Sequence, residues 1–384
     1  MVHERYEDWD FFPSKGESSY GYSGSLQLGL GGSYSAANHS QNAASVFVKR
    51  AFLHLKGERS NVRLGRFEFT AGGEVMPKDA TLAIVKRDGI SQRLIGTFGF
   101  SDVQRNFDGA QYNYSSGGWN VTAFSAVPDR GVFQVDGWGW VTTPVTYVAL
   151  TKQASFGASQ AEWRVFGIYY DDDRGVLKTD NRSAAVRAND LGGIDIGTFC
   201  SHYIQAIPTA AGTFDLLGWG ALQTGKWGLL RQRSAAGAVQ AGYQPKIARA
   251  IRPWLRGGYL YSTGDNNPND NIQGTFFAIL PTPRVYARFP FFNEMNNRDL
   301  FGELMLRPAK PLALRSDVHG LWLANSHDLW YSGGGAFQPW TFGYNGRPSN
   351  GATGLATPYD VGADYQRTRG LSTGLYFGYA RDCA

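Results

Sequence analysis

Cysteine, methionine and charge are all scarce in this chain of 384 residues. It has 2 Cys and 4 Met, and only 18% of its residues are charged. Cys200 and Cys383 lie far apart, whereas a disulfide framework needs several cysteines at short spacing, so we predict two unpaired thiols. No uninterrupted apolar run approaches the roughly 18 residues that a membrane helix needs. These features exclude a disulfide-stapled domain and a helical membrane protein.

The N-terminal segment also lacks the marks of a leader sequence. It begins Met-Val-His-Glu-Arg-Tyr, without a basic region followed by an apolar stretch. If the protein is exported, its signal is therefore expected to have been removed or replaced by a start methionine.

Positive charge is in small excess, with a formal net charge of +5, but it is not clustered. Nucleic-acid-binding proteins usually concentrate basic residues on one helix or patch, so nucleic acid is not an expected partner. Here single arginines occupy alternate positions in many separate segments. On one face of a rolled sheet they would line its inside.

Aromatic residues and glycine are abundant. Aromatics make up 14% of the chain, and there are 49 glycines. This mixture favours strands and tight turns over helices. An all-β fold is therefore expected.

The segment 312–323 shows the pattern that recurs along the chain. Leu312, Leu314, Val318 and Trp322 alternate with polar residues. The polar face carries Arg315, Asp317 and His319. Strict period two predicts a strand with one apolar and one charged face.

The same alternation predicts about 17 strands, and because bacterial single-chain barrels close with an even number, we expect 18, with 16 as the alternative. The clearest candidates are residues 20–30, 46–55, 61–69, 93–100, 107–114, 118–127, 145–152, 162–170, 194–204, 214–222, 227–243, 248–261, 300–306, 312–323, 361–367 and 371–379.

Between these strands lie segments of other kinds. Residues 70–91 break the rhythm and are expected to hold a short helix or a folded-in loop. The acidic residues 171–190 are expected to form an exposed loop. Two long loops are predicted at 263–298 and 325–358, as a pore constriction or a cap. Residues 1–384 are thus expected to form a single domain.

The polar faces decide between a soluble sandwich and a membrane barrel. In a sandwich they would meet solvent, and lysine should be common there. Instead they mix arginine with acids, serine, asparagine and glycine, as a crowded, water-filled lumen requires, and tyrosine and tryptophan lie near the segment ends. The pattern therefore favours a transmembrane antiparallel β-barrel with short periplasmic turns and long extracellular loops.

Several fragments resemble the alginate export family of outer-membrane β-barrel porins. The similarity covers most of the chain and is strongest over residues 260–335. The fragments are Thr263 to Asp270, Gly274 to Phe277, Leu280-Pro281, Asn293 to Arg298, Leu306 to Pro308, Leu323 to Asn325 and Asp328 to Tyr331, together with Gly65-Arg66 and Phe107 to Ala110. The resemblance implies an 18-stranded barrel in the bacterial outer membrane, through which an anionic polysaccharide passes along an arginine-lined lumen gated by loops.

Guanidinium groups suit contact with passing carboxylates because they stay charged and bind them bidentately. A pore must also release what it binds, so acids should offset the arginines. The pairs Arg66 with Glu68, Arg307 with Glu303, and Arg315 with Asp317 fit this need or a purely structural pairing. The predicted lumen set is completed by Arg252, Arg256 and His319.

The loop after Tyr261 is expected to fold over or into the pore as a constriction, or else to form an extracellular cap. Its candidate residues are Tyr286, Arg288, Asn293, Asn297 and Arg298. Asp265, Asn267 and Asn269 have the spacing of calcium ligands. An Asn-rich turn is favoured instead, because Asp270 stands where a calcium loop needs glycine and Phe276 where it needs an acid. No metal site is therefore expected.

These features favour an outer-membrane channel that passes anionic saccharides or exopolysaccharide by diffusion, with no cofactor. The expected partners are outer-membrane lipid, the anionic substrate and a periplasmic or envelope protein. The alternatives are an uptake porin for small anions and a structural barrel that anchors or sheathes a partner such as a cytochrome. No nucleophile elbow or Walker motif is present, so an enzyme is not expected, although His319 beside Asp317 would suit a barrel hydrolase.

Overall fold

The computed structural model describes residues 2–3, 44–134, 136–248, 250–289, 292–368 and 370–382, and these are nearly all β. The helices among them are α1 (Ala80–Gly89), α2 (Ala184–Ala188) and a 3-10 turn (Pro283–Val285). The strands in chain order are β1 (Val2–His3), β2 (Ala44–Ser45), β3 (Ala51–Lys56), β4 (Ser60–Phe67), β5 (Phe107–Ser116), β6 (Trp119–Pro128), β7 (Val145–Phe156), β8 (Ser159–Asp172), β9 (Ile194–Pro208), β10 (Gly212–Trp227), β11 (Leu230–Pro245), β12 (Trp254–Ser262), β13 (Ile272–Gln273), β14 (Asn297–Ala309), β15 (Leu312–Leu323), β16 (Leu329–Gly333), β17 (Tyr344–Pro348), β18 (Gly354–Thr368) and β19 (Leu371–Asp382).

No helix in the described part of the chain is both long and apolar enough to cross a membrane.

Fourteen of the described strands form one continuous antiparallel path. It runs from β3 to β12 in chain order and continues through β14, β15 and β18 to β19. The short β13 adds to this sheet in parallel with β11, and β16 pairs with β17 in a separate hairpin. The predicted all-β antiparallel fold is confirmed. The predicted strand 20–30 lies outside the described residues, so the total of 18 strands stays a prediction.

The two faces of the sheet differ in the way the alternation predicts. In β15, Asp317 and His319 are buried, whereas Val318 between them is 41% exposed. Large apolar side chains are likewise exposed on other strands of the path, among them Phe199, Leu222, Val239, Leu300 and Val361. Apolar surface repeated along so many strands is what a lipid-facing wall presents. We call this the outward face and the opposite one the inward face.

The connections fall into two classes at the two ends of the strands. At one end the strands are joined by tight turns such as 57–59, 117–118 and 157–158, and we call it the short-turn end. At the other, the long-loop end, lie the connections 68–106, 129–144, 173–193, 263–296 and 324–353, together with one tight turn, 228–229, between β10 and β11. The predicted division into short turns and long loops is confirmed.

Residues 68–106, the inner segment, fold back against the inward face. Leu82 and Val85 of α1 are buried in one cluster with Phe124 and Tyr147 of the strands. The side chain of Asp79 begins α1 by accepting a hydrogen bond of 2.9 Å from the Leu82 amide. A Cβ at Gly89 would lie 2.4 Å from Leu217 Cδ1, so a larger residue there would require the Leu217 side chain to move. The expectation of a short helix within 70–91 is confirmed.

Two sequence predictions for local structure are wrong. Residues 93–100 are not a strand, since only Ile95 forms a bridge, to Leu280. This segment is packed among other inner residues, and Arg93, Leu94 and Ile95 are buried in succession rather than alternately. The acidic loop is not wholly exposed either: Asp172, Asp180 and Asp190 are buried. Arginines in the same loop neutralise them.

Of the two cysteines, Cys200 on β9 is buried and unpaired, as predicted. Cys383 lies outside the described residues.

Candidate functional site

The inward face of β14 and β15 carries a chain of charged groups. Arg315 lies 3.0 Å from Glu303 and 2.8 Å from Asp317. The second contact is the pair expected from the sequence. The first replaces the expected pair of Glu303 with Arg307, because Arg315 lies across the antiparallel register from Met305, beside Glu303. Arg307 lies exposed near the end of β14.

Arg256 extends this chain onto β12. Its guanidinium donates a hydrogen bond of 2.9 Å to Gln240 and lies 3.6 Å from Asp215. It also packs 5.4 Å from the ring centre of Trp254. Arg252, by contrast, is exposed in the turn before β12, with a backbone φ of 44°, and is not a strand residue. The sequence pattern predicted a strand from residue 248, six residues before β12 begins at Trp254.

His319 lies on the same inward face but has a different acidic partner from the one expected. Its Nδ1 is 2.9 Å from an oxygen of Asp299, and its ring packs 5.4 Å from Phe301. Asp317, two residues away, is bound by Arg315 instead.

Acids outnumber arginines in this part of the inward face. The buried carboxylates are Asp215, Asp299, Glu303, Asp317 and Asp360. Arg256 forms an ion pair with Asp215, and the half-buried Arg315 forms ion pairs with Glu303 and Asp317. Of the arginines predicted to line the lumen, Arg256 and Arg315 are therefore embedded among acids at β12 to β18.

Arg66 and Glu68 are not brought together. Arg66 forms a two-pronged contact with Asp108, with its Nε 2.7 Å from one carboxylate oxygen, and also donates to the Gly137 carbonyl. Glu68 lies beyond the end of β4 and is 3.3 Å from Arg50. Asp108 is the register partner of Arg66 on the neighbouring strand β5. Arg66 therefore pairs with Asp108 and not with Glu68, two residues along its own chain.

The residues proposed for the constriction are distributed around the 263–296 loop and its junction with β14. Tyr286 donates a hydrogen bond of 2.6 Å to the Ser91 carbonyl of the inner segment. Asn293 donates to the Gly333 carbonyl at 3.0 Å, and Arg298 to the Leu323 carbonyl at 2.8 Å. Arg288 packs 5.1 Å from the ring centre of Tyr376 on β19. Asn297 is buried, and the oxygen and nitrogen of its side-chain amide have no hydrogen-bond partner among the described residues.

The calcium-like residues are used as turns. Asp265 accepts a hydrogen bond of 2.9 Å from the Asn267 amide, and Asn267 accepts one of 3.1 Å from the Asn269 amide. Successive side-chain-to-backbone bonds of this kind build an Asx turn. No cluster of three or more His, Cys, Asp or Glu side chains with metal-binding geometry occurs among the described residues.

A group of buried ion pairs, which the sequence analysis missed, ties the inner segment to the wall. Lys86 of α1 lies 2.6 Å from Glu162, and Glu162 is also 3.0 Å from His202. Glu74 of the inner segment lies 2.7 Å from Arg164. Glu162, Arg164 and His202 alternate with outward apolar residues on predicted strands. This alternation was the signal in the sequence that could have placed the three side chains on the inward face.

Two arginines of the inner segment hold the long loops together. Arg93 forms a buried ion pair with Glu294. Arg105 donates to the carbonyls of Gly96, Leu280 and Gly334, at 2.8 to 2.9 Å. The inner segment, the 263–296 loop and the 324–353 loop therefore form one hydrogen-bonded body.

Burial shifts the pKa of two loop carboxyls upward. The pKa of Glu294 is raised to about 7 by desolvation, against the opposing effect of Arg93. Desolvation also raises the pKa of Asp328 to about 6, although Thr275, Tyr331 and two backbone amides donate hydrogen bonds to this carboxylate. Both groups lie where the loops meet.

A cavity of about 560 Å³ opens at the short-turn end, between β3 to β5 and the inner segment. Its basic lining residues are His54, Lys56, Arg59 and Arg63, and its amide lining residues are Asn61, Gln111 and Asn113. Its acids are Glu58, Glu68 and Glu74. Two of these acids are already paired, Glu68 with Arg50 and Glu74 with Arg164. The cavity wall is thus positive in balance.

Three atoms of this wall are buried without hydrogen-bond partners among the described residues: His54 Nε2, Arg63 Nε and Gln111 Oε1. The strand register pairs Arg63 directly with Gln111. A donor of fixed charge and an amide acceptor are therefore side by side on the inward face of the wall that lines the cavity.

Comparison with known proteins gives a match to a family, similarity to solved structures and no curated relative. No curated protein matches the chain. Among solved structures, the chain is similar to the crystal structure of Pseudomonas aeruginosa OccK11 (OpdR), with 10% sequence identity and a TM-score of 0.48, over 86% of this chain and 74% of that one. The model of the family described as alginate export matches residues 33–379. This match spans most of the antiparallel sheet and the loops inside it, and the chain belongs to the alginate export family.

Proposed function

We propose that this protein is an outer-membrane channel through which anionic saccharides diffuse, and that the basic cavity beside β3 to β5 is where they contact the wall. One observation carries the proposal. Arg63 and Gln111 are register partners on the wall of a cavity with excess positive charge, and the Nε of Arg63 and the Oε1 of Gln111 are both buried without hydrogen-bond partners among the described residues.

The lining chemistry supports a uronate-like substrate. Guanidinium and ammonium groups such as Arg63 and Lys56 attract carboxylates, and Arg63 can bind one through two hydrogen bonds. The amides of Asn61, Gln111 and Asn113 offer both donors and acceptors to sugar hydroxyls. A cavity lined by both kinds of group suits a ring that carries hydroxyls and one carboxylate.

The acidic groups on β14, β15 and β18 support passage rather than retention. Carboxylates such as Glu303, Asp317 and Asp360 face the same interior and repel an anion. A substrate that moves between a basic wall and an acidic wall binds weakly enough to leave, as conduction requires. We propose that the wall is arginine-lined on the β3 to β5 side, while Arg256 and Arg315 serve chiefly to neutralise acids.

The loops narrow the route in this proposal. The inner segment occupies part of the interior, and the 263–296 loop is bonded to it through Tyr286 and Glu294. Residues 263–298 therefore act as a constriction, and residues 325–358 cover the long-loop end. Both belong to the single barrel domain.

Block of ionic current in planar lipid bilayers tests the proposal. The purified protein would be exposed on either side to oligouronates and to neutral oligosaccharides of equal length. We expect concentration-dependent block by the oligouronates at concentrations where the neutral sugars have little effect. Equal block by both, or none by either while small anions still carry current, would overturn the saccharide assignment; the second result would favour an uptake porin for small anions.

A further inference from the structure

A second and larger cavity, of about 1170 Å³, lies among the long loops. Residues of the inner segment, of the 173–193 and 263–296 loops and of the 324–353 loop line it. One end of this cavity, which we call the aromatic end, is formed by Phe98, Phe100, Phe133, Arg284 and Phe337. It is separate from the basic cavity, whose lining residues are all different.

The aromatic end is built from rings in mutual contact. Phe98 lies at its centre, 4.2 Å from the Phe100 ring and 5.3 Å from the Phe133 ring. Phe133 in turn meets Phe337 edge-on at 5.5 Å. Phe100 remains 38% exposed and Phe133 is half-buried, so both keep ring surface available to a guest.

The backbone is strained to place two of these rings. Phe98 has a φ of 58° and Phe133 a φ of 56°, in the left-handed region that bulky residues rarely adopt. The facing backbone is glycine: a Cβ on Gly334 would lie 1.9 Å from the Phe98 ring. Strain of this kind persists only where the surrounding structure enforces it, and it is common at ligand sites.

A cation lies at the edge of the rings. The Arg284 guanidinium is 4.5 Å from the centre of the Phe100 ring and forms no ion pair with any carboxylate of the described residues. Over the whole cavity the charged lining residues are four arginines (Arg182, Arg187, Arg284 and Arg347) and two aspartates (Asp180 and Asp328), besides His327. An anion is therefore favoured over a cation.

We propose that the aromatic end binds a small aromatic carboxylate, with its ring against Phe100 and Phe133 and its carboxylate on Arg284. A sugar fits less well, because its hydroxyls would be desolvated against phenylalanine rings without hydrogen-bond partners. A flat apolar ring loses nothing there and gains offset or edge-on ring contacts. The site does not depend on the proposed saccharide transport, since binding can be measured without a membrane.

Isothermal titration of the detergent-solubilised protein with benzoate tests this proposal, with benzamide as a neutral mimic of the same shape. We expect saturable binding of benzoate and at least tenfold weaker binding of benzamide, since a hydrogen bond to a charged group is replaced by a neutral one. Cyclohexanecarboxylate should also bind more weakly, because it lacks the flat ring. Absence of saturable benzoate binding, or equal affinity for benzamide, overturns the proposal.

Variants locate the site within the protein. Arg284→Gln should weaken benzoate binding about tenfold, and Phe100→Ala, at a partly exposed position, should also weaken it measurably. Arg233→Gln, which removes the same charge from an exposed position on β11, is the matched control and should leave the affinity unchanged. An Arg284→Gln protein that binds benzoate as tightly as the Arg233→Gln protein contradicts the assignment.

Discussion

The ammonium group of Lys86 lies 2.6 Å from the carboxylate of Glu162, and both side chains are fully buried. Lys86 belongs to helix α1 of the inner segment, whereas Glu162 belongs to β8 of the wall. This ion pair, together with that of Glu74 and Arg164, fixes the inner segment inside the sheet. It thereby determines how much of the interior is left open.

The first prediction concerns this attachment. Glu162→Gln leaves the buried Lys86 without its counter-charge, which costs about 3–5 kcal/mol when one partner of a buried pair is removed. We expect the inner segment to become sensitive to protease cleavage between residues 68 and 106 while the strands stay protected. Glu58→Gln, in the exposed turn before β4, is the control and should behave as the parent does. Unchanged protection in Glu162→Gln would show that packing alone holds the segment.

The second prediction concerns the basic cavity. Arg63→Gln removes the guanidinium proposed to contact the uronate carboxylate, so oligouronate block should weaken about tenfold, the usual value of a charge-assisted hydrogen bond. The concentration for half-maximal block is the quantity to measure. Arg233→Gln again supplies the same change of charge on the outward side. If both variants shift the block equally, Arg63 has no specific role.

The third prediction concerns the acidic side of the interior. Glu303→Gln removes one negative charge, and at about 10 Å in water one charge changes the energy of a passing anion by about 0.4 kcal/mol. Because the same change raises the energy of a passing cation, the ratio of anion to cation permeability should rise about fourfold, as measured from the reversal potential in a salt gradient. A fall in that ratio would contradict an acidic wall at β14 and β15.

The fourth prediction is a pH dependence of the loops. Because burial raises the pKa of Asp328 to about 6, the folded loops bind a proton that the unfolded chain has lost above its usual pKa of 3.8. This contribution is present at low pH and is lost as the pH rises from about 4 through about 6. The loops should thus be less stable at pH 7 than at pH 4 with respect to this group.

Asp328→Asn isolates that contribution. The variant cannot titrate, so the difference in unfolding free energy between parent and variant, followed by protease protection of residues 324–353, should change across this pH window and be flat above it. The variant should also be less stable overall, since four donors converge on the native carboxylate. A constant difference from pH 4 to pH 7 would rule out the shift.

The strands of the sheet could be predicted from the sequence better than the inner segment that packs against them. The predicted strand 312–323 has the same bounds as β15. Its side chains alternate between apolar and polar because successive positions face the outward and the inward side. The helix within 70–91 was expected for the opposite reason, since its pattern breaks the period of two. Residues 93–100 resemble a strand in sequence but lie inside the sheet, where Arg93, Leu94 and Ile95 are buried in succession.

The charge pairs show that a pattern along the sequence predicts ion pairs within one strand but not those between different elements. Arg315 and Asp317 are neighbours on one strand and were predicted as a pair, and they form one. Arg66 instead meets Asp108, and Lys86 meets Glu162, across distances in sequence that only the strand register and the folded-in helix define. The aromatic end of the long-loop cavity could not be predicted either, because its rings come from three separate loops.

If this protein conducts anions past a basic wall, the sign of the reversal potential must show it. The purified parent protein would be placed in a planar bilayer between unequal concentrations of potassium chloride. We expect a reversal potential of the sign set by chloride, which Arg63→Gln moves toward zero and Arg233→Gln does not. A reversal potential of the sign set by potassium in the parent protein would contradict it.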